Sequence, residues 1–271
     1  MTGPPAPRRR FMLEQLTLLE LAPLDFLDVA AAAGYDGIGL HMAGLAVPWC
    51  AQYDLTSDTP LRRAFAARMG ELGLALHVAE PFMISPEVSR ETLLRNLDCA
   101  AELGAAVVGV LSFEDDPARS AAGLARLSAD AGERGLALSI EPYALSSLPT
   151  MSSALAAARA AGGSAGVTFD VLHVVRGGEH WTTLPGLDPA LVRTVQISDG
   201  PVVAPEDRGT EAVAERGVPG EGEFGLATLW PLLPGSVPIG IEVPSRARAA
   251  QMVPVDWARH LRERTEELIG G

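Results

Sequence analysis

Apolar positions along the chain follow two alternating rhythms. Short runs of five to seven residues, mostly apolar and rich in Val, Ile and Leu, read MLEQLTL, GIGLH, LALHVA, AVVGVLS, LALSIE, GVTFD, VRTVQIS and PIGIE. Between them lie stretches whose apolar residues recur at helical spacing: LDFLDVAAAAG, LRRAFAARMGELG, SRETLLRNLDCAAELG, the run from Asp116 to Gly135, and VDWARHLRERTEELIG. Gly34, Gly73, Gly104 and Gly135 close helical runs, and a strand follows each within a few residues, as helix C-terminal glycines do. Strands recur every 25 to 37 residues, widening to about 44 before the last. Strands alternating with helices predict one α/β domain with a parallel sheet, and eight repeats favour closure into a single (β/α)8 barrel. The alternative, a doubly wound open sheet, lacks its expected GxGxxG after the first strand. The barrel is expected over residues 11–271. Residues 1–10, MTGPPAPRRR, read as a mobile tail, since no apolar stretch follows the arginines to make a signal peptide.

Four consecutive strands end on a polar residue: Glu141, Asp170, Gln196 and Glu242. Two positions earlier stand Ser139, Thr168, Thr194 and Gly240, all small; one position earlier stand Ile140, Phe169, Val195 and Ile241, all large and apolar. Residues two apart share a strand face, and in a barrel the large set packs outward on the helices while the small set fills the interior. The four polar ends therefore point inward at the C-terminal mouth, where barrel enzymes keep their sites. Three carboxylates converging there repel one another unless a cation sits between them. Four oxygen donors with no thiolate suit Mn2+ or Mg2+ first, with Co2+ acceptable and structural zinc disfavoured.

Composition narrows the partners. The net charge is -13 and the pI about 4.8, which argues against nucleic acid or an anionic membrane. All 21 basic residues are arginine, so lysine Schiff-base chemistry is excluded. Cys50 and Cys99 form no metal or redox motif, in keeping with a reducing, cytoplasmic setting, and no apolar run approaches the ~20 residues of a membrane helix. The expected partner is a small carbohydrate-like molecule; a homo-oligomer is compatible with the sequence.

The segments SIEP, FDVLH, VQISD, VPGEGEF and GIEV resemble, in order and spacing, the sugar phosphate isomerase/epimerase superfamily with its xylose isomerase-like barrel. The resemblance runs from about Phe11 to the end. It implies that Glu141 and Glu242 hold the metal and also form the acid/base pair, that Asp170 is a ligand, and that His173 faces the substrate. Many members carry His where this chain has Gln196. The Gln form, with Arg216 before Pro219-Gly220-Glu221-Gly222, resembles a branch that includes 3-dehydroshikimate dehydratases.

Other candidates rest on position alone. His41 and His77 end strands two and three with Gly39 and Ala75 two places earlier, so both are expected at the mouth. Arg176 and Arg216 could grip a substrate oxygen or carboxylate, and Asp199 could orient a hydroxyl. Glu80 reads more simply as a solvated loop carboxylate, and Trp49 and Phe82 as an apolar wall or cover. The chemistry expected of such a site is metal-assisted proton transfer next to a carbonyl, through an enediolate. Returning the proton gives epimerisation or isomerisation of a keto sugar or related polyol ketone. Expelling a β leaving group gives a dehydratase or lyase, on 3-dehydroshikimate or a 3-keto-glycoside. A barrel that binds sugar without turnover, and a nuclease, are weaker alternatives.

Overall fold

In a computed structural model, which describes residues 9–184 and 187–270, the chain closes a parallel barrel in strand order one to eight. The strands are β1 (Phe11–Glu14), β2 (Gly37–His41), β3 (Ala75–Ile84), β4 (Val107–Ser112), β5 (Ala137–Ile140), β6 (Gly166–Asp170), β7 (Val192–Ile197) and β8 (Ile239–Ile241). The helices that return the chain are α1 (Pro23–Ala32), α2 (Thr59–Leu72), α3 (Arg90–Glu102), α4 (Pro117–Gly132), α5 (Met151–Ala161), α6 (Val171–Arg176), α7 (Arg208–Ala214), α8 (Arg246–Ala249) and α9 (Pro254–Gly270). None is long and apolar enough to cross a membrane. Eight of the ten residues expected to form a mobile tail, 1–8, lie outside the described residues. Arg9 and Arg10 are tied down, by a guanidinium bond to the Trp230 carbonyl and by the Arg10 carbonyl accepting from Ile239 N.

Local chemistry accounts for the element ends. Asp58, Ser89, Asp116 and Thr150 each accept a backbone N–H in the first turn of α2, α3, α4 and α5. Gly34, Gly73, Gly104 and Gly135 all have positive φ, between 68° and 84°, the left-handed conformation expected from the sequence. Ile140, Phe169, Val195 and Ile241 are fully buried in the main core between sheet and helices. On the opposite face Ser139 and Thr168 touch through their hydroxyls at 2.8 Å, inside the barrel.

Two elements depart from the expected pattern. MLEQLTL is not one strand: β1 stops at Glu14 and Gln15–Leu18 form a 3-10 turn, fixed where Gln15 Oε1 accepts from His41 N at 3.0 Å and Tyr53 Oη at 2.8 Å. In β3 the register against β2 runs Ile38 with Leu76 and then Gly39 with Val78, so His77 is the extra residue of a bulge. That bulge turns the alternation over, and Glu80, three residues on, faces inward.

Candidate metal centre and active site

Glu141, Asp170, Gln196 and Glu242 meet at the C-terminal mouth. Asp170 closes β6 and its Oδ1 accepts from Leu172 N at 2.8 Å and His173 N at 3.3 Å, which fixes the carboxylate and starts α6. Its other oxygen lies 2.8 Å from Nη1 of Arg216, and the same nitrogen is 2.8 Å from Glu242 Oε2. Gln196 Nε2 lies 3.3 Å from Glu242 Oε1 and 3.2 Å from Glu80 Oε1. Glu141 Oε1 is 3.5 Å from His173 Nε2, which in turn is 3.7 Å from Asp170 Oδ2. Asp170 and Gln196 form the sealed floor, whereas Glu141, at 13% side-chain exposure, reaches into the open cavity.

The cavity holds about 210 Å³. Its base is polar, made by His41, Glu80, Glu141, His173, Arg216 and Glu242; its walls are Leu16, Leu45, Pro81, Met83, Leu111, Phe113, Tyr143 and Val213. Tyr143 stands edge-on to the His173 ring, with centroids 4.8 Å apart. Arg216 is clamped from behind: its Nε donates to the Ala212 carbonyl at 2.8 Å and its backbone N to the Pro244 carbonyl at 3.0 Å.

Burial and crowding set the charge states. Burial, then the neighbouring carboxylates, push Glu14, Glu80 and Glu141 well above the usual carboxylate range, and burial raises Glu242 to about 7 against the pull of Arg216. Asp170 goes the other way: burial opposes ionisation, but Arg216 and His173 outweigh it and hold the carboxyl low. Burial drops His173 to about 4 despite Asp170, so the ring is neutral at physiological pH.

The residues fit a divalent cation. Glu141, Asp170 and His173 offer ligand atoms within 4.8 Å of one another, and the buried Gln196 Oε1 has no hydrogen-bond partner. Neutral-to-acidic oxygen donors beside one imidazole are the donor set of Mn2+, Mg2+ or a borderline ion.

The residues from 27 to 267 match the family model of the xylose isomerase-like TIM barrel. The chain belongs to that family. No curated protein matches it. Its fold is shared with a xylose isomerase-like TIM barrel/4-hydroxyphenylpyruvate dioxygenase fusion protein, at 21% identity and a TM-score of 0.75; the match covers 95% of this chain but only 42% of the fusion. The IolI protein with a bound zinc atom superposes with a TM-score of 0.78 at 14% identity, covering 96% and 98% of the two chains. A D-allulose 3-epimerase from Methylomonas sp., in complex with D-allulose, superposes at 0.69 with 17% identity, covering 96% and 98%.

Within this xylose isomerase-like barrel, three of the expected substrate contacts, His77, Arg176 and Asp199, do not line the cavity. His77 does not face the cavity: it occupies the β3 bulge, and its Nε2 is 3.2 Å from the carbonyl of Arg193, near the start of β7 at the opposite end of the barrel. Arg176 is committed to a buried pair with Glu211, at 2.7 Å from Nε to Oε2, and to the carbonyls of Pro201 and Val202. Asp199 spends its carboxylate on backbone N–H groups of Gly200, Gly220 and Phe224, and so shapes the loop that carries Arg216. His41, His173 and Arg216 do line the cavity. Phe82 is buried in the core, and Trp49 lies beneath Arg246 in a neighbouring groove.

Two acids went unassigned in sequence. Glu80 is 5% exposed and part of the base, not a solvated loop residue. Glu14 is fully buried on the barrel axis, in space left by glycines: a Cβ at Gly39 would stand 1.4 Å from Glu14 Oε2, and one at Gly240 2.0 Å from Oε1.

Proposed function

We propose that the chain is a divalent-metal-dependent isomerase or epimerase that moves a proton next to the carbonyl of a keto sugar or related polyol ketone. The observation that carries this reading is the pairing of Glu141 and Glu242 across one small cavity, with Arg216 and a neutral His173 between them. A divalent ion held by Glu141, Asp170, Gln196 and Glu242 would supply the electrophile that polarises the carbonyl oxygen. Glu141, raised by burial and partly open to the cavity, is suited to take the α-proton, and Glu242 to return one from the other side. The His173 ring, held by Tyr143 and within reach of Glu141, can donate to a substrate hydroxyl in its neutral form. Arg216 keeps Asp170 ionised and presents its remaining N–H groups to the substrate oxygen that gains charge.

A second reading, elimination by a dehydratase or lyase, draws support from the apolar walls. A ring ketone with few hydroxyls buries better against Leu111, Phe113 and Val213 than an open-chain polyol does. Both reactions begin with the same proton abstraction. Incubating Mn2+-loaded protein in D2O with ketohexoses, inositol-type ketones, 3-keto-glycosides and 3-dehydroshikimate should place deuterium beside the carbonyl of one of them. Exchange with return of substrate or its epimer supports the first reading, and loss of water or aglycone the second. A ketone bound tightly in the presence of metal that shows neither exchange nor product removes the enzymatic reading for that ketone.

A further inference from the structure

Glu242 stands one residue beyond β8, which at three residues is the shortest strand of the barrel. On the β7 side the backbone ladder carries on past the strand end, and Glu242 N donates to the Ile197 carbonyl at 3.0 Å. On the β1 side it cannot. Ile241 lies opposite Leu13, so Val243 would come opposite Gln15, but β1 stops at Glu14 and Gln15–Leu18 turn away as a 3-10 helix. Val243 is fully buried, and its N–H has no strand left to receive it. A buried donor without an acceptor is costly.

Thr17 closes this gap. Its Oγ1 accepts from Val243 N at 3.0 Å and donates to the Ile241 carbonyl at 3.1 Å, and both bonds are buried. A hydroxyl donates and accepts at once, so a single side chain holds the residues on either side of Glu242. The turn that carries Thr17 is itself anchored, because Gln15 Oε1 accepts from His41 N and Tyr53 Oη. One residue past Val243 the chain is pinned again, where the Pro244 carbonyl accepts from Arg216 N at 3.0 Å. The backbone from Ile241 to Pro244 is thus tied to β7, to the turn after β1 and to the Arg216 loop, and Glu242 is the carboxylate in its middle.

We propose that Thr17 is a positioning residue for Glu242: its hydroxyl takes the place of the β1 backbone where β1 ends, and so holds the Glu242 carboxylate at the place where it binds a divalent cation. Thr17 touches neither cation nor substrate and acts only through the backbone of β8. The proposal rests on the reading of Glu242 as a metal ligand.

The test uses Mn2+ as the probe, titrated into chelator-stripped full-length protein by calorimetry, at a temperature where each variant is folded by circular dichroism. Thr17→Val keeps the shape and removes the hydroxyl; Thr17→Ser keeps the hydroxyl. Thr265→Val removes another buried hydroxyl, whose bond to the Leu261 carbonyl stays within α9. The expected result is that Thr17→Val weakens Mn2+ binding about tenfold, the scale on which groups behind a metal ligand act. Thr17→Ser should stay within about twofold of wild type, and Thr265→Val should lose stability with Mn2+ affinity unchanged. Wild-type affinity in Thr17→Val overturns the proposal, as does Thr17→Ser binding as weakly as Thr17→Val, or Thr265→Val weakening the metal equally. A wild-type protein that takes up no Mn2+ overturns the metal reading of Glu242 and the proposal with it. Should Thr17→Val not fold, Thr17→Ala against Thr17→Ser makes the same comparison, with the same outcomes deciding.

Discussion

Asp170 and Glu242 share one guanidinium nitrogen, and that arrangement fixes what single substitutions do. Glu141→Gln and Glu242→Gln each remove a proton acceptor and a ligand charge, so each should cut turnover by ~10^2 or more once a substrate is in hand. Retention of wild-type kcat in either variant would remove that residue from the acid/base pair. Gln196→His should keep the metal and shift preference toward Co2+ or Zn2+, because imidazole is a softer donor than an amide oxygen; competition dialysis reads the preference. His77 gives a pH signature away from the centre. Burial lowers its pKa from 6.5 to about 4, with the Arg193 carbonyl opposing and Arg10 adding. The folded ring stays neutral where the unfolded chain already takes a proton, so its stabilisation is full above pH 6.5 and is lost as pH falls from about 6.5 to 4. A shift of this size corresponds to roughly 3 kcal/mol. Urea denaturation at pH 7 and pH 4 should show a correspondingly smaller loss in His77→Gln; equal losses in both proteins would contradict this. At this scale the sequence showed the four strand-end groups because their alternation is local. Glu14 was hidden because the glycines that make room for it sit on β2 and β8, remote in sequence.

At the scale of elements, the repeated strand–helix–glycine unit was legible because helix ends are written locally, in capping side chains and in glycines with positive φ. What was not legible was the β3 bulge. A single extra residue at His77 reverses which side chains face inward, so a two-residue rule carried through His77 misplaces it and overlooks Glu80. The loop between β7 and α7 and on to Phe224 is likewise ordered by a non-local device. Asp199 gathers three backbone N–H groups, and Gly222 must lack a side chain because a Cβ there would stand 2.2 Å from Asp199 Oδ1. Replacing Asp199 by Ala leaves those donors unpaired and should cost about 3 kcal/mol of stability. It should also weaken substrate binding by releasing Arg216, whose following residue Gly217 is bridged to Asp199. A variant as stable as wild type by denaturant melting would show that the loop is held by other contacts.

For the whole molecule, the barrel closes around a centre whose carboxylates exceed its cations, within a chain of net charge -13. Metal binding should therefore be felt globally. Mn2+ at about one hundred times its dissociation constant contributes about 2.7 kcal/mol per site, or a melting shift of roughly 5–10 °C for a chain of this size. Chelation should reverse the shift, and calorimetry with and without chelator reads it directly. The central claim is the position of the metal, and the most direct measurement is anomalous scattering at the manganese edge from crystals of Mn2+-loaded protein. The account predicts a peak in coordinating contact with Glu141, Asp170, Gln196 and Glu242, with the Arg216 guanidinium displaced toward the cavity. Absence of a peak at saturating Mn2+, with Arg216 still bridging Asp170 and Glu242, would contradict it.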